Sequence, residues 1–254
     1  MSAIFSTLRR ICGPALLAAA LAGGSSAHAS ISLSTTRVIF DGRDKEASIV
    51  VRNGKANILV QSWIESNTEG DLGELPFAVS PPLAKMLPDS QQLLRVLYAG
   101  GKNTLPQDKE SVLWLNVQEI PEAVPGENVL QMAIRQRIKL FFRPAGLQGA
   151  ADDAPAALQW SIVQQGGKPM LQVSNPSAFH VSFSQIAIGS GAPVAVRVMI
   201  APGETSRYAL GKDVAPGSAA LAFSVVNDYG GVDEYKARLS GADPVNAAAA
   251  KAPK

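Results

Sequence analysis

The chain is poor in the residues that carry most enzyme and metal chemistry. Of 254 residues, one is cysteine and two are histidine, and aromatic residues make up only 6%. Cys12 and His28 both fall within the first 29 residues, a segment set apart by its composition. Arg9-Arg10 precede an apolar stretch from Ile11 to Leu21, interrupted by Gly13-Pro14, and small residues follow, ending in Ala27-His28-Ala29. That order is the pattern of a secretory signal peptide, with cleavage expected before Ser30. The apolar stretch is too short to span a bilayer and no other stretch is long and apolar enough, so membrane insertion is not expected. The mature chain is then free of cysteine, which excludes disulfides and thiol chemistry and leaves packing as the source of stability. Loss of Arg9 and Arg10 leaves 21 basic residues against 21 acidic ones. A near-neutral chain lacks the clustered positive surface that phosphate backbones require, so nucleic acid is not an expected partner. The expected location is the bacterial periplasm or the cell exterior.

Catalytic constellations are equally scarce. The mature chain has one histidine, His180, placed after Asn175-Pro176 at the start of a patterned segment. A lone histidine is far more often a surface or core residue than a general base, and without cysteine or a second histidine a metal cluster of the usual ligand types is not expected. No Gly-Xaa-Ser-Xaa-Gly elbow and no phosphate-binding loop occurs. Asp152-Asp153 and Asp233-Glu234 are adjacent acids of the kind that usually face solvent in turns and linkers. No cofactor and no enzymatic activity are expected.

What is present is β pattern. Segments such as "ISLSTTRVIF", "EASIVVRNG", "NILVQSWIES", "QQLLRVLYAG" and "SVLWLNVQEI" are short, rich in Val, Ile, Leu and aromatics, and separated by Asp41-Gly42, Asn53-Gly54, Pro81-Pro82 and Asn103. After Arg143-Pro144 the pattern lapses into "AGLQGAADDAPAA", and it resumes at Leu158-Gln159-Trp160. The second half repeats the style in "LQWSIVQQ", "PMLQVSNPS" and "AALAFSVVNDYGG". The chain therefore divides into a signal peptide (1–29), an all-β domain (30–144), a linker (145–157), a second all-β domain (158–240) and a tail (241–254) that is expected to be disordered. Two β-sandwiches explain the linker; one large barrel does not.

One segment is unusual. "VLQMAIRQRIKLFF", Val129 to Phe142, alternates an apolar row, Leu130, Met132, Ile134, Ile138, Leu140 and Phe142, with a cationic row, Arg135, Arg137 and Lys139. The period is that of a strand, and a long apolar strand at a sheet edge invites other chains to pair with it.

The segment "LPQDKESVLWLNVQEIP", Leu105 to Pro121, closely resembles the signature of the periplasmic pilus-assembly chaperones of the chaperone–usher pathway. The resemblance extends through "TTRVIFDG", "WIES", "PPLAKMLPDSQQLLRV", "NVLQMAIRQRIKLFFRP" and "NDYGG". It implies two immunoglobulin-like sandwiches set at an angle around a cleft, with fimbrial subunits and an outer-membrane usher as partners. It further implies that the Val129–Phe142 strand is lent to a subunit that lacks one, through Leu130, Met132 and Ile134. By the same resemblance, Arg37 and Lys139 hold the subunit's terminal carboxylate, and Glu110, Arg143 and Asp228 meet between the domains. Read without it, Arg37 is a solvated strand end, Lys139 an edge lysine that discourages aggregation, and Asp228 a turn residue.

The six apolar residues of the strand share parity. For the first three to serve a partner and the last three the home core, a twist or bulge is expected near Arg135 to Arg137. An equal alternative is that all six face the home core. The free edge also allows self-association through the donor strand. The alternative function is that of a pilin- or adhesin-type structural subunit.

Overall fold

The computed structural model of the chain describes residues 31–67, 74–100, 105–123, 131–189, 191, 194–195, 198–210 and 218–250. The expected signal peptide and Leu130 lie outside the described residues.

Alternation in the first half produces β1 (Ile31–Leu33), β2 (Arg37–Asp41), β3 (Glu46–Asn53), β4 (Ile58–Ser66) and β5 (Phe77–Ser80). These are followed by β6 (Leu83–Met86), β7 (Gln91–Tyr98), β8 (Ser111–Pro121) and β9 (Ile134–Arg143). They form two sheets, ordered β1-β3-β7-β5 and β2-β9-β8-β4-β6. Between the sheets lies one apolar core in which Phe40, Phe77, Tyr98 and Phe142 make edge and stacked ring contacts. Such aromatic pairs add to the area they bury.

The second half contributes β10 (Gln159–Gln165), β11 (Lys168–Ser174), β12 (Val181–Ile188), β13 (Val194–Ala195) and β14 (Met199–Ile200). It continues with β15 (Thr205–Ala209), β16 (Ala219–Val226), β17 (Val232–Leu239), β18 (Val245–Asn246) and β19 (Ala248–Ala249). One sheet runs β15-β11-β10-β18 and the other β13-β12-β16-β17-β19, with β14 also paired to β12. Trp160, Phe183 and Phe223 pack at the centre of a second core that shares no residue with the first. The architecture is therefore two sandwiches, as the sequence implied.

Two connecting segments carry more order than their composition suggests. The stretch between the sandwiches holds a single 3-10 turn, Ala151–Asp153, and a one-turn helix α1, Ala154–Ala157. Ala154 is buried in the second core and Leu147 packs against it, so this end of the linker is docked.

Within the segment expected to be disordered, the described residues Val245–Asn246 instead form β18, paired with β10, and Ala248–Ala249 form β19, paired with β17. Ala247 is buried between them, and the Asn246 side-chain amide donates to the carbonyls of Ala157 and Leu158. The tail is too small to bury a core of its own, but it satisfies two sheet edges that would otherwise stand open.

The hairpin from β16 to β17 pairs without slippage from Ala219 opposite Leu239 to Val226 opposite Val232. Its turn is built by Asn227, whose Oδ1 accepts the N–H groups of Tyr229 and Gly231. Gly230 sits at φ +82°, and a β-carbon there would stand 2.7 Å from Thr36 Oγ1 at the start of the first sandwich. Only glycine lets the two domains approach this closely.

Candidate functional site

β9 is paired fully on one side and only partly on the other. With β8 it forms an unbroken antiparallel ladder from Ile134 opposite Glu119 to Phe142 opposite Ser111. On the far side β2 joins in parallel, but only from Lys139, opposite Arg37, to Arg143, opposite Asp41. Between Ile134 and Ile138 that edge has no strand partner among the described residues. Its N–H and C=O groups are therefore available to another chain.

The row facing the interior grades from buried to open. Phe142 and Leu140 are 1% and 0% exposed, Ile138 is half-buried, Ile134 is 40% exposed, and Met132, just before the strand, is 67% exposed. The bulge expected near Arg135 to Arg137 is absent, since the register with β8 does not shift. No bulge is needed, because equal parity does not mean equal burial. β1, in the other sheet, starts at Ile31, whose carbonyl accepts a hydrogen bond from Gln136 Nε2 at 3.0 Å. Beyond that rung Ile134 and Met132 are exposed. A register shift does occur in β12, between Phe183 and Gln185.

The opposite row carries Arg135, Arg137, Lys139, Phe141 and Arg143. Lys139 Nζ reaches across to the second domain and donates to Ser182 Oγ at 3.0 Å. No carboxylate lies within ion-pair distance of it among the described residues. Burial, with the neighbouring Arg37 guanidinium adding to it, pushes the lysine pKa down to about 8. Arg37 is 9% exposed, its Nη1 donates to the Val226 carbonyl at 2.8 Å, and its Nε is buried without a partner. Burial also lowers the Arg37 pKa, against the opposing pull of Asp228 and Glu110. Two cations with unfilled donor capacity thus sit side by side where the free edge meets β2.

Glu110, Arg143 and Asp228 are brought together. The Arg143 guanidinium donates from Nε to Glu110 Oε2 at 2.7 Å and from Nη1 and Nη2 to the two Asp228 oxygens at 2.6 and 2.8 Å. Burial works against the charge on Arg143, but the hydrogen bonds and charges of Asp228 and Glu110 outweigh it and hold the guanidinium pKa above its ordinary value. Glu110 Oε1 is held in turn by the His180 backbone N–H and by Nδ1 of its ring, both at 2.9 Å. The Glu110 N–H donates to the Ala178 carbonyl at 2.9 Å, so the first domain grips the start of β12. Arg37, Phe141, Arg143, His180, Ser182 and Asp228 line one hollow between the domains.

Sequence reasoning missed His180 and Ser182 as parts of this junction. Nothing local marks either, because their partners lie 70 and 43 residues away. Trp63, Glu65 and Trp114 lie in segments that carry the family resemblance, but their contacts with Arg135 and Arg137 were not read from the sequence.

Residues 30–148 match the N-terminal domain of PapD in the family described as pili and flagellar-assembly chaperones, and residues 153–237 match the C-terminal domain of the pili assembly chaperone PapD. The probable fimbrial chaperone YadV of Escherichia coli K12 is 38% identical over 232 residues, covering 86% of this chain and 94% of YadV. Its crystal structure overlays with a TM-score of 0.70 over 83% of this chain and 100% of that one. The chaperone FimB/FhaD of Bordetella pertussis is 36% identical over 246 residues, covering 91% of this chain and 98% of its own. The SafB chaperone of Salmonella enterica, solved in complex with the SafA pilin, is 26% identical with a TM-score of 0.70 over 85% of this chain and 98% of SafB. No helix among the described residues is long and apolar enough to cross a membrane. With both PapD domains matched in order across most of its length, the chain belongs to the pilus-assembly chaperone family.

Proposed function

We propose that the chain works in the periplasm, captures fimbrial subunits by donating β9 to their incomplete sheets, keeps them from aggregating and passes them to an outer-membrane usher. The observation that carries this reading is the open edge from Ile134 to Ile138, which ends against Arg37 and Lys139. A strand added there lies in line with β2. If its carboxyl end meets the two cations, it runs toward β2 and therefore parallel to β9, as β2 itself does.

Leu130, Met132 and Ile134 fill successive pockets of the subunit, each side chain contributing roughly 1.5–3 kcal/mol before ordering costs. The terminal carboxylate accepts charge-assisted bonds from Arg37 and Lys139, worth about 1.5–3 kcal/mol each. Every subunit ends in a carboxylate, so this contact sets register without reading side chains. Glu110, Arg143 and Asp228 orient the domains so that Ser182 and the Val226 carbonyl hold the anchoring pair from the second-domain side. The basic-then-apolar leader ending in Ala27-His28-Ala29 supports export, and family membership supports delivery to an usher.

The test is co-expression with the subunits encoded beside the gene, followed by purification from periplasm. Lys139→Ala is expected to abolish the co-purified subunit while the variant keeps its wild-type circular dichroism. A wild-type yield of complex from this variant overturns the anchor.

A further inference from the structure

The outer row of β9 holds cations that the anchor does not use. Arg135 and Arg137 point away from the core, with side chains 48% and 41% exposed. They do not wave freely. Arg137 lies over Trp114, its Cζ 4.3 Å from the ring centroid, and the Arg135 Cζ stands 6.0 Å from the Trp63 ring centroid. Both reach the same carboxylate, Glu65, at 3.5 and 3.6 Å. Glu65 is fixed by the Trp63 indole N–H at 2.8 Å, a bond that helps to hold its pKa below the usual range. Trp114 is fixed by its own N–H to Asn67 Oδ1 at 2.9 Å. One carboxylate between two guanidiniums leaves a net positive charge, and Lys139 extends the row without a carboxylate of its own.

The geometry points to a second reading head on this edge: Arg135 and Arg137 select client strands that carry acidic side chains at the two outward positions nearest the carboxyl end. This rests on the edge-pairing reading above. In a β ladder, directly opposed residues share a face, so a strand paired along Ile134 to Ile138 presents its outward side chains to Arg135 and Arg137. Opposite charges there attract and like charges repel. Contact with the indoles and with Glu65 restrains both guanidiniums before the partner arrives, so less side-chain freedom is lost on binding. An edge charged only to deter aggregation needs no such scaffold.

The test uses short fluorescent peptides with a free carboxyl terminus, alternating aliphatic residues, and glutamate, glutamine or lysine at the two outward positions. Anisotropy titration of the full mature chain is expected to rank glutamate over glutamine by roughly threefold to tenfold, as two exposed ion pairs allow. Lysine should bind weakest. The preference should shrink between about 50 mM and about 500 mM salt. In Arg135→Gln/Arg137→Gln the glutamate-to-glutamine ratio should fall to one, and in Arg135→Glu/Arg137→Glu the lysine peptide should become the preferred one.

Equal binding of the three peptides to the wild type, or a glutamate preference that survives the double glutamine change, overturns this inference alone. If no peptide binds the wild type, the edge reading fails and takes the inference with it. Sedimentation in the same buffers checks the rival occupant, a second copy of this chain. Two such edges would oppose cation to cation, so dimers that tighten at low salt also overturn the proposal.

Discussion

Replacing Arg143 by methionine removes one side chain from two carboxylates in two domains. Glu110 has a fully buried side chain and Arg143 is 19% exposed, so the change strands a negative charge away from water. Breaking one partner of such a pair typically costs about 3–5 kcal/mol. Here the low end applies, near 3 kcal/mol, because His180 still supplies Glu110 with a backbone N–H and a ring nitrogen. Asp228 is 27% exposed and recovers hydration, so it adds little. The test is a double-mutant cycle with Glu110→Gln. Neutralising Glu110 in the Arg143→Met background keeps an acceptor for the His180 N–H and removes the orphaned charge, so half or more of the loss should return. Urea unfolding is read at pH 7 by tryptophan fluorescence and far-ultraviolet dichroism. Trp63 and Trp114 report on the first domain and Trp160 on the second. The single variant should also split the two domains into separate transitions. A loss below about 0.5 kcal/mol, or strictly additive effects of the two changes, refutes the assignment.

Two further outcomes follow from named groups. Lys139 is held at a pKa of about 8, so its burial as a cation costs stability below that pH and the cost fades as pH rises toward the ordinary lysine range. Lys139→Met should therefore stabilise the unloaded chain at pH 7 by roughly 1–2 kcal/mol after solvent screening, with the gain vanishing at high pH. Peptide capture by the wild type should weaken by up to about tenfold per pH unit above pH 8, because the lysine must then take up a proton to bind a carboxylate. Isothermal titration in buffers of different ionisation enthalpy measures that uptake. Truncation after Ser240 removes β18 and β19, opens the edges of β10 and β17 and uncovers the site filled by Ala247. The second-domain transition should fall by about 2 kcal/mol or more and aggregation should rise, both measurable by thermal unfolding with light scattering.

Local pattern carried much of this fold and little of its junction. Period-two alternation marked β3, β4, β7, β8 and β9, and the lapse of pattern after Pro144 marked the break between the cores. Burial along β9 could not be read that way. Parity tells which face a side chain takes, whereas depth depends on where the other sheet ends, and that is set by β1, about a hundred residues earlier. The tail failed for a related reason: "GADPVNAAAAKAPK" has no periodicity of its own, and its order comes from unpaired edges on β10 and β17. Glu110, Arg143 and Asp228 were identified through a family resemblance, since separations of 33 and 85 residues carry no local signal. His180 looked like an isolated histidine until its carboxylate partner was placed beside it.

The central claim is that a subunit occupies the open edge of β9. Hydrogen exchange of the chain, alone and loaded with a co-expressed subunit, tests it most directly. The amides of Ile134 to Ile138 that face away from β8 should exchange freely in the unloaded chain and become protected in the complex, with the β8-facing amides little changed. Unchanged exchange along that edge, with new protection on another surface, would contradict the account.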